Sequence, residues 1–326
     1  MSTQTDWLSH FMDLVIVTGK LEVHCTFGAP WSSTYAQSAA CEIPYHVLLK
    51  GRALLEDSAD NTVWELVGGD IVLLPHGSAH VLHDGSGQTP LPLFARTVGN
   101  MLASGNEGRD GRLDMLCGRF LIASPHDRLI RSYLPSKLVV RTVNASGASG
   151  AVSAAARLNG LLELMRLESI EGNPGGVSIL NALSLALFAL ALRTASETGQ
   201  APTGLLALAG HSGLAPALSA MFSEPAKPWT LLQLAELCSM SRATFMRHFQ
   251  SGLGRSAMNL LTDIRMSVAA NELRKPMATV EAVASVVGYQ SVAAFRRVFA
   301  RRMGMTAGRW RRQSGAAEAE EDPVCT

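Results

Sequence analysis

The chain is short of the features that mark secreted and membrane-spanning proteins. Only 5 of its 326 residues are cysteine, and their spacing is uneven. Such a set does not form the disulfide framework of a secreted domain. The N-terminus lacks the basic-then-apolar order of a secretory signal. The most apolar run, Ile179 to Leu192, is shorter than the ~20 residues that cross a bilayer. We therefore predict a cytoplasmic protein with no membrane partner.

Catalytic motifs are missing as well. The run from Gly210 to Leu214 resembles a serine nucleophile elbow, but Leu214 stands where that turn needs glycine. Gly147 and Gly150 do not follow a strand, as the glycines of a phosphate-binding loop would. The sequence contains no His-Glu-x-x-His metalloprotease motif. We predict that the protein is not an enzyme.

Charge is scarce overall but is concentrated near the C-terminus. Charged residues make up 17% of the chain, and the net charge is +1. Between Lys227 and Gln313, however, basic residues far outnumber the four acidic ones. A locally basic segment attracts a polyanion, because neutralising phosphates releases counterions. The acidic end, residues 314–326, is predicted to be a disordered tail.

One helix-turn-helix pattern occurs twice in this basic segment. Residues 230–249 and 279–299 each predict a short helix, a tight turn and a second helix that begins at serine and closes on Arg-x-Phe. A helix with small polar and basic residues on its exposed face, supported by a preceding helix, reads the major groove of DNA. Two copies predict a protein that binds two successive major grooves of DNA, about 34 Å apart.

The second helix of each copy supplies the predicted DNA contacts. Ser241 and Ser291 are the predicted N-caps of these helices. The predicted DNA-binding residues are Ser241, Arg242, Thr244, Arg247 and His248 in the first copy, and Ser291, Ala294, Arg296 and Arg297 in the second. The alternative is a pair of ordinary helical hairpins whose charges face solvent. Duplication and local basicity together favour DNA binding over that alternative.

The basic segment resembles the DNA-binding domain of AraC/XylS-type transcriptional regulators. The residues that carry the resemblance are Leu234-Ala235, the run Met240–Phe249, Arg265, Ala269, Leu273, Val283-Ala284, Val287-Gly288-Tyr289, Phe295, Arg297, Phe299 and Gly304-Met305-Thr306. They span about the last hundred residues. The chain departs from the family after its final glycine, where Ala307 and Trp310-Arg311 replace the usual proline and Tyr-Arg. The resemblance implies a sequence-specific regulator, an activator of transcription, whose partners are promoter DNA and RNA polymerase.

The residues in front of this domain predict strands and then helices. From about Val15 to Leu121, short apolar runs are broken by Gly, Asp, Asn and Pro, which is typical of a β-sandwich or barrel. The polar, glycine-rich stretch from Gly99 to Gly111 is predicted to be a loop. Residues 154–195 predict two helices, and the second is apolar nearly all round, so it must be buried in a domain or in a homodimer interface.

These patterns combine into a predicted architecture. The predicted fold class is an α+β multidomain protein with an N-terminal cupin-like β-barrel, a helical linker and a C-terminal all-α domain with two helix-turn-helix units. The predicted boundaries are 1–125 for the sensor domain, 126–226 for the linker and dimerisation region, 227–313 for the DNA-binding domain and 314–326 for the tail. The N-terminal segment resembles a cupin at Pro44–His46, Gly69-Asp70 and Leu74–His80. Metal-cupin enzymes carry His-x-His followed by Glu, whereas this chain has only His46 there, which argues against an oxygenase.

Four residues of the predicted barrel are candidate metal ligands: Cys25, His46, His80 and Cys117. Each lies on or beside a predicted strand, and distant strands of a barrel can direct side chains into one cavity. Two thiolates and two imidazoles would form a closed tetrahedral Zn²⁺ site. The domain is also similar to a cupin-sensor subgroup that responds to reactive chlorine and other electrophiles, and these four residues match cysteines and histidines of that subgroup.

Two sensing mechanisms remain open at these residues. In one, zinc is structural or is lost when its thiolates are oxidised. In the other, Cys25 is a low-pKa thiolate, assisted by His24, and Cys25 and Cys117 are the redox-active pair. A purely structural role would make the cysteines small hydrophobes and the histidines satisfied hydrogen-bonding residues. At the level of the whole protein, the alternatives are a regulator that binds a small apolar ligand in the barrel, and a cupin-fold metal enzyme with an accessory nucleic-acid-binding domain.

Overall fold

The structure, a computed structural model, describes residues 6–98, 101–142, 154–201 and 203–320. The chain divides into two compact units, Val17–Pro202 and the combination of Met1–Ile16 with Thr203–Thr326. The first holds all eleven described strands, β1 to β11: Val17–Ala29, Ser32–Tyr35, Glu42–Lys50, Arg52–Asp57, Val63–Val67, Asp70–Leu73, His80–His83, Phe94–Val98, Met101–Gly105, Asp110–Ile122 and Leu138–Arg141. The described helices, α1 to α12, are Trp7–Leu14, Asp127–Tyr133, Ala154–Glu171, Gly176–Glu197, Leu205–Gly210, Ala215–Ser223, Leu231–Leu237, Arg242–Leu253, Ala257–Glu272, Val280–Val286, Val292–Met303 and Ala307–Glu320.

The strands form two sheets that enclose an apolar core. The larger sheet has the order β11-β6-β3-β10-β1-β9-β8, and the smaller has the order β2-β7-β4-β5. Inward residues of both sheets meet in one cluster, which includes Phe27, Trp31, Leu55, Leu82 and Met115. Alternate residues of a strand point to opposite faces, so the broken apolar runs of the sequence yield one buried face. The strand-rich N-terminal domain and the helical C-terminal region are as predicted.

The apolar helix α4 packs on the barrel rather than forming a linker. A Cβ on Gly19 of β1 would lie only 2.6 Å from Ser184 Cβ, so this position needs glycine for the close approach. The Tyr45 hydroxyl is 2.8 Å from Ser184 Oγ, and the rings of Phe120 and Phe188 pack 4.8 Å apart. Helix α4 has 22 residues and, by length and composition alone, could cross a membrane. It is longer than the apolar run from Ile179 to Leu192 on which the sequence-based exclusion of a membrane span was based. These contacts pack one face of α4 against the barrel, whereas other apolar residues of the helix, such as Val177 and Ile179, are exposed.

The boundaries from the sequence differ from the structure in three places. The predicted linker, 126–226, is divided, because α2 to α4 belong to the barrel unit and α5 and α6 to the other. The predicted loop between Gly99 and Gly111 includes β9, which pairs in parallel with β1; Gly99 itself lies outside the described residues. Helix α12 continues to Glu320, so 314–320 are helical rather than disordered, and 321–326 lie outside the described residues.

The second unit contains two repeats of three helices, α7–α9 and α10–α12. The predicted N-caps are confirmed: Ser241 Oγ accepts from Thr244 N at 3.2 Å, and Ser291 Oγ accepts from Ala294 N at 3.3 Å. Each turn contains a residue with positive φ, Ser239 at 52° and Gly288 at 79°. A Cβ on Gly288 would meet Ala226 O at 2.1 Å, so only the second repeat requires glycine.

Candidate functional site

The four candidate residues of the barrel come together in its interior. Cys117 and His46 are direct cross-strand partners on β10 and β3. Cys25 lies diagonally from Cys117, because Cys117 is registered with Val23 of the adjacent β1. His80 comes from β7 of the smaller sheet. All four are buried, with His46 and His80 1% and 0% exposed.

Hydrogen bonds connect these residues in a chain. His80 Nδ1 lies 2.8 Å from the Ser78 carbonyl oxygen, and His80 Nε2 lies 2.8 Å from His46 Nε2. His46 Nδ1 then lies 3.1 Å from Cys117 Sγ, which is 4.0 Å from Cys25 Sγ. The Ser78 carbonyl can only accept, so His80 donates from Nδ1 and accepts from His46 at Nε2. His46 Nδ1 therefore carries a lone pair that can take the Cys117 proton.

The two thiols differ in acidity. A hydrogen bond from Cys25 lowers the pKa of Cys117 well below the usual thiol value, and the charge and hydrogen bond of His46 act in the same direction. The same hydrogen bond, together with burial, raises the pKa of Cys25. We assign the thiolate to Cys117 because only this sulfur contacts both His46 Nδ1 and the Tyr35 hydroxyl, the latter at 3.7 Å. Burial also lowers the pKa of His80 to about 4, so His80 is neutral at neutral pH.

This geometry corrects the predicted role of His24. The structure places His24 Nε2 2.6 Å from Asp114 Oδ1 and His24 Nδ1 3.3 Å from Ser169 Oγ of α3. Adjacent residues of a strand face opposite sides of the sheet, so His24 points away from the core that contains Cys25. The imidazole that contacts a thiol is His46, and that thiol is Cys117 rather than Cys25. Alternation along β1 separates His24 from Cys25, whereas the pairing of His46 with Cys117 depends on cross-strand register, which one sequence cannot supply.

The four side chains do not converge on one metal position. His46 uses Nδ1 toward Cys117 and Nε2 toward His80, so its ring separates His80 from the two sulfurs. A tetrahedral zinc site needs four donors within about 2.0–2.3 Å of one point. Among the described residues, no group of three or more His, Cys, Asp or Glu side chains is arranged to hold a metal ion. The arrangement fits proton transfer and thiol chemistry better than zinc.

The predicted DNA-binding residues lie on α8 and α11. Arg242, Arg247 and Arg297 are exposed, and the apolar faces of these helices are buried through Phe245 and Phe295. Thr244 is half-buried, and its Oγ1 accepts a hydrogen bond from Ser241 at 2.9 Å. The other predicted residues are placed as follows: Ala294 is half-buried, and the half-buried His248 packs 6.0 Å from the ring of His211. The exposed arginines thus form the outer face of each helix.

Several arginines of the basic segment have structural partners. Arg296 Nη2 lies 2.7 Å from Glu281 Oε1 of the preceding helix, α10. Arg265 donates to the carbonyl oxygens of Pro225 and Lys227, and Arg302 pairs with Asp263 at 3.2 Å. The number of arginines available to contact a polyanion is therefore smaller than the sequence count of basic residues suggests.

Comparison with known families agrees with both halves of this geometry. A cupin family model matches residues 6–197, more than half of the chain, and a helix-turn-helix domain model matches residues 234–313. The chain belongs to the cupin family. With its AraC-type helix-turn-helix domain, it is a DNA-binding transcriptional regulator and not an enzyme.

Relatives of this cupin regulator share its full length. An uncharacterized HTH-type transcriptional regulator of Haemophilus influenzae is 28% identical over 90% of this chain and 94% of its own. MtrA, an HTH-type transcriptional regulator of Neisseria gonorrhoeae, is 28% identical over 95% and 99%. RclR of Escherichia coli, named an RCS-specific HTH-type transcriptional activator, is 26% identical over 94% and 97%.

No sequence pattern indicated the roles of two residues: Tyr35 beside the cysteines of the barrel, and Glu281 beside α11. Tyr35 stacks on His80 with ring centroids 4.8 Å apart and reaches Cys117, but it belongs to a four-residue strand without apolar alternation. In the sequence, Glu281 is only one of the four acidic residues of the basic segment between Lys227 and Gln313. Its pairing with Arg296 could be anticipated only by aligning the two repeats.

Proposed function

We propose that this regulator is a transcriptional activator that responds to oxidants through a disulfide between Cys25 and Cys117. The observation that carries the proposal is the pair of buried sulfurs 4.0 Å apart, with His46 Nδ1 3.1 Å from Cys117. The name of one relative, an RCS-specific activator, supports the same class of signal. A cytoplasmic location and contact with promoter DNA and RNA polymerase belong to the same proposal.

The chemistry begins with proton transfer from Cys117 to His46. The Cys117 thiolate attacks the chlorine of hypochlorous acid, a two-electron oxidant, and displaces hydroxide; water then hydrolyses the sulfenyl chloride to a sulfenic acid and releases chloride and a proton. Cys25 then attacks this sulfur and displaces its hydroxyl, which leaves as water. Two thiols and one hypochlorous acid thus become one disulfide, one water, one chloride and one proton. A high pKa keeps Cys25 protonated until this second step.

The proposed disulfide requires the two sulfurs to move closer together. An S–S bond is about 2.05 Å long, so the sulfurs must approach each other by roughly half of their present separation. The β1–β10 register is irregular between Leu21 and Val23, beside this pair. We propose that this irregular segment accommodates the approach and carries the change along β1.

Two observations favour this proposal over the other sensing mechanisms. Large side chains, including Phe27, Trp31 and Met115, pack in the barrel core, and an apolar ligand would have to displace them. The ring of His46 lies between His80 and the sulfurs, and a zinc ion would require that ring to turn. Zinc is therefore the alternative that the experiment below must separate from direct oxidation.

The test combines thiol mapping with metal analysis of the reduced full-length protein. After addition of one equivalent of hypochlorous acid, we expect a Cys25–Cys117 disulfide by mass spectrometry and altered binding to a promoter duplex. Dithiothreitol should reverse both. Zinc should be far below one ion per chain before oxidation. Stoichiometric zinc that is released by the oxidant would overturn direct oxidation in favour of the metal mechanism.

We also propose that the regulator forms a homodimer through α3 and α4. Leu164, Leu167 and Ile170 make an exposed apolar stripe on α3, and Val177 and Ile179 are exposed on α4. Spacings of three residues put such side chains on one helix face, and a continuous apolar face marks an interaction surface.

Replacing two residues of this stripe should convert the dimer to a monomer. In the Leu164→Glu, Leu167→Glu variant, each buried carboxylate would oppose its symmetry mate, at a cost of several kcal/mol for unpaired buried charges. Light scattering after size exclusion should then give half the wild-type mass. Val63→Glu, at an exposed apolar position on β5, is the matched control and should stay dimeric. An unchanged mass for the double variant would place the interface elsewhere.

A further inference from the structure

The two recognition helices differ at equivalent positions. Helices α8 and α11 are both twelve residues long, begin after a serine cap and end at a glycine in the left-handed conformation, Gly254 or Gly304. Aligning the caps gives a one-to-one correspondence, in which Phe245 matches Phe295. Arg242 then corresponds to Val292, Met246 to Arg296 and Arg247 to Arg297.

The first helical residue differs most in chemistry. N-terminal residues of a recognition helix face the base edges in the major groove. In α8 this residue is the exposed Arg242, and the described residues provide it with no ion pair. In α11 it is Val292, half-buried against the core of its repeat and followed by Ala293 and Ala294. One helix therefore presents a guanidinium to the groove, and the other presents methyl groups.

The basic residue specific to α11 has a partner within its own repeat. Arg296 pairs with Glu281, whereas the corresponding positions of the first repeat hold two exposed apolar residues, Leu232 and Met246. The ion pair is 59% exposed on both sides, so it is weak and does not lock the side chain. It nevertheless leaves this position of α11 neutral overall. Arg296, one turn after Val292, therefore does not compensate α11 for the charge that Arg242 gives to α8.

We propose that the two helices read different chemical features of the operator. Helix α8 reads a guanine edge by hydrogen bonds from Arg242, and α11 reads thymine methyl groups through Val292 and Ala293. Arginine pairs with guanine O6 and N7, and small apolar side chains contact the thymine methyl. The operator then has one half-site that contains a required guanine and one that is rich in A·T pairs. This proposal rests on the assignment of α8 and α11 to the major groove and is independent of oxidant sensing.

The experiment uses DNA in which single atoms are changed. Reduced full-length protein first selects a duplex from a random-sequence library, and its affinity is measured by fluorescence anisotropy. Replacing the required guanine by 7-deazaguanine removes the N7 acceptor and should weaken binding about 5- to 150-fold. Replacing thymine by deoxyuridine in the other half-site removes only a methyl group and should weaken binding about fourfold for each contacted base.

Protein variants assign each effect to its helix. Arg242→Ala should lose the sensitivity to 7-deazaguanine and keep the sensitivity to deoxyuridine. Val292→Ala should keep the sensitivity to 7-deazaguanine and reduce the sensitivity to deoxyuridine only at the thymine that Val292 contacts, because Ala293 is retained. Val292→Arg should replace the need for a methyl group with a need for guanine N7. Melting curves confirm that each variant is folded, and Val292→Ala is expected to be slightly less stable because Val292 packs on the core.

The outcomes separate this proposal from DNA binding itself. If Val292→Ala keeps the wild-type loss of affinity at every thymine replaced by deoxyuridine, or Arg242→Ala still responds to 7-deazaguanine, the division of readout is wrong although the protein binds DNA. If selection enriches no sequence, both the division of readout and the groove assignment fail.

Discussion

Cys117→Ser should abolish the response of operator binding to hypochlorous acid. The Cys117 sulfur is the one that contacts His46, and its pKa is well below the usual thiol value. A serine hydroxyl is not oxidised by this reagent, so neither the sulfenic acid nor the disulfide can form. The variant should bind the operator with the affinity of reduced protein at every oxidant concentration, as measured by anisotropy titration.

Other cysteine variants provide the controls. In Cys25→Ser the sulfenic acid at Cys117 should form but not resolve, and a dimedone adduct should report it. Cys41→Ser removes an exposed cysteine and should respond like wild type. A Cys117→Ser protein with the wild-type response would show that the signal enters elsewhere. A Cys25→Ser protein in which dimedone labels Cys41 instead of Cys117 would also contradict the scheme.

The pH dependence of the reaction should distinguish the role of His46. Because the pKa of Cys117 is lowered in the folded protein, a larger fraction of it is thiolate at neutral pH than of an ordinary thiol, and this fraction decreases as the pH falls through the lowered pKa. In His46→Asn the pKa should rise toward the ordinary thiol range. Once the pKa exceeds the pH, each further unit of rise reduces the thiolate fraction about ten-fold. Alkylation of Cys117 by iodoacetamide should therefore slow at pH 7 and recover as the pH increases.

Features that depend on neighbouring residues in the sequence could be predicted, whereas features that depend on strand register or helix packing could not. Ser241 and Ser291 were identified as caps because a cap needs only a hydroxyl at the right distance from a helix. Grouping Cys25, His46, His80 and Cys117 rested on the closure of strands into a barrel and on the resemblance to a cupin-sensor subgroup. The choice between His24 and His46 depended on which strand faces which, and the Arg296–Glu281 pair depended on the packing of two helices. Neither leaves a local pattern.

Helix α1 is the clearest example of a segment whose place depends on distant contacts. It precedes the barrel in sequence, yet it packs within the unit that contains the DNA-binding helices. Phe11 is 1% exposed and meets the ring of Phe222 edge-on at 6.0 Å. The Leu14 carbonyl accepts from Asn271 Nδ2 of α9 at 3.0 Å, and α9 joins the two helix-turn-helix repeats. Two residues after α1 ends, the chain enters β1, which carries Cys25.

Phe11→Ala should therefore uncouple operator binding from disulfide formation. Truncating a buried phenylalanine costs about 3–5 kcal/mol, which should undock α1 and leave the cores around Phe245 and Phe295 intact. Hypochlorous acid should still form the Cys25–Cys117 disulfide, but the oxidised and reduced variants should bind the operator equally. Phe11→Leu retains most of the apolar contact and should restore the response, and Met277→Ala, at a 96% exposed position of the same unit, should leave it unchanged. A full response in Phe11→Ala would mean that the movement of β1 reaches the DNA-binding helices by another route.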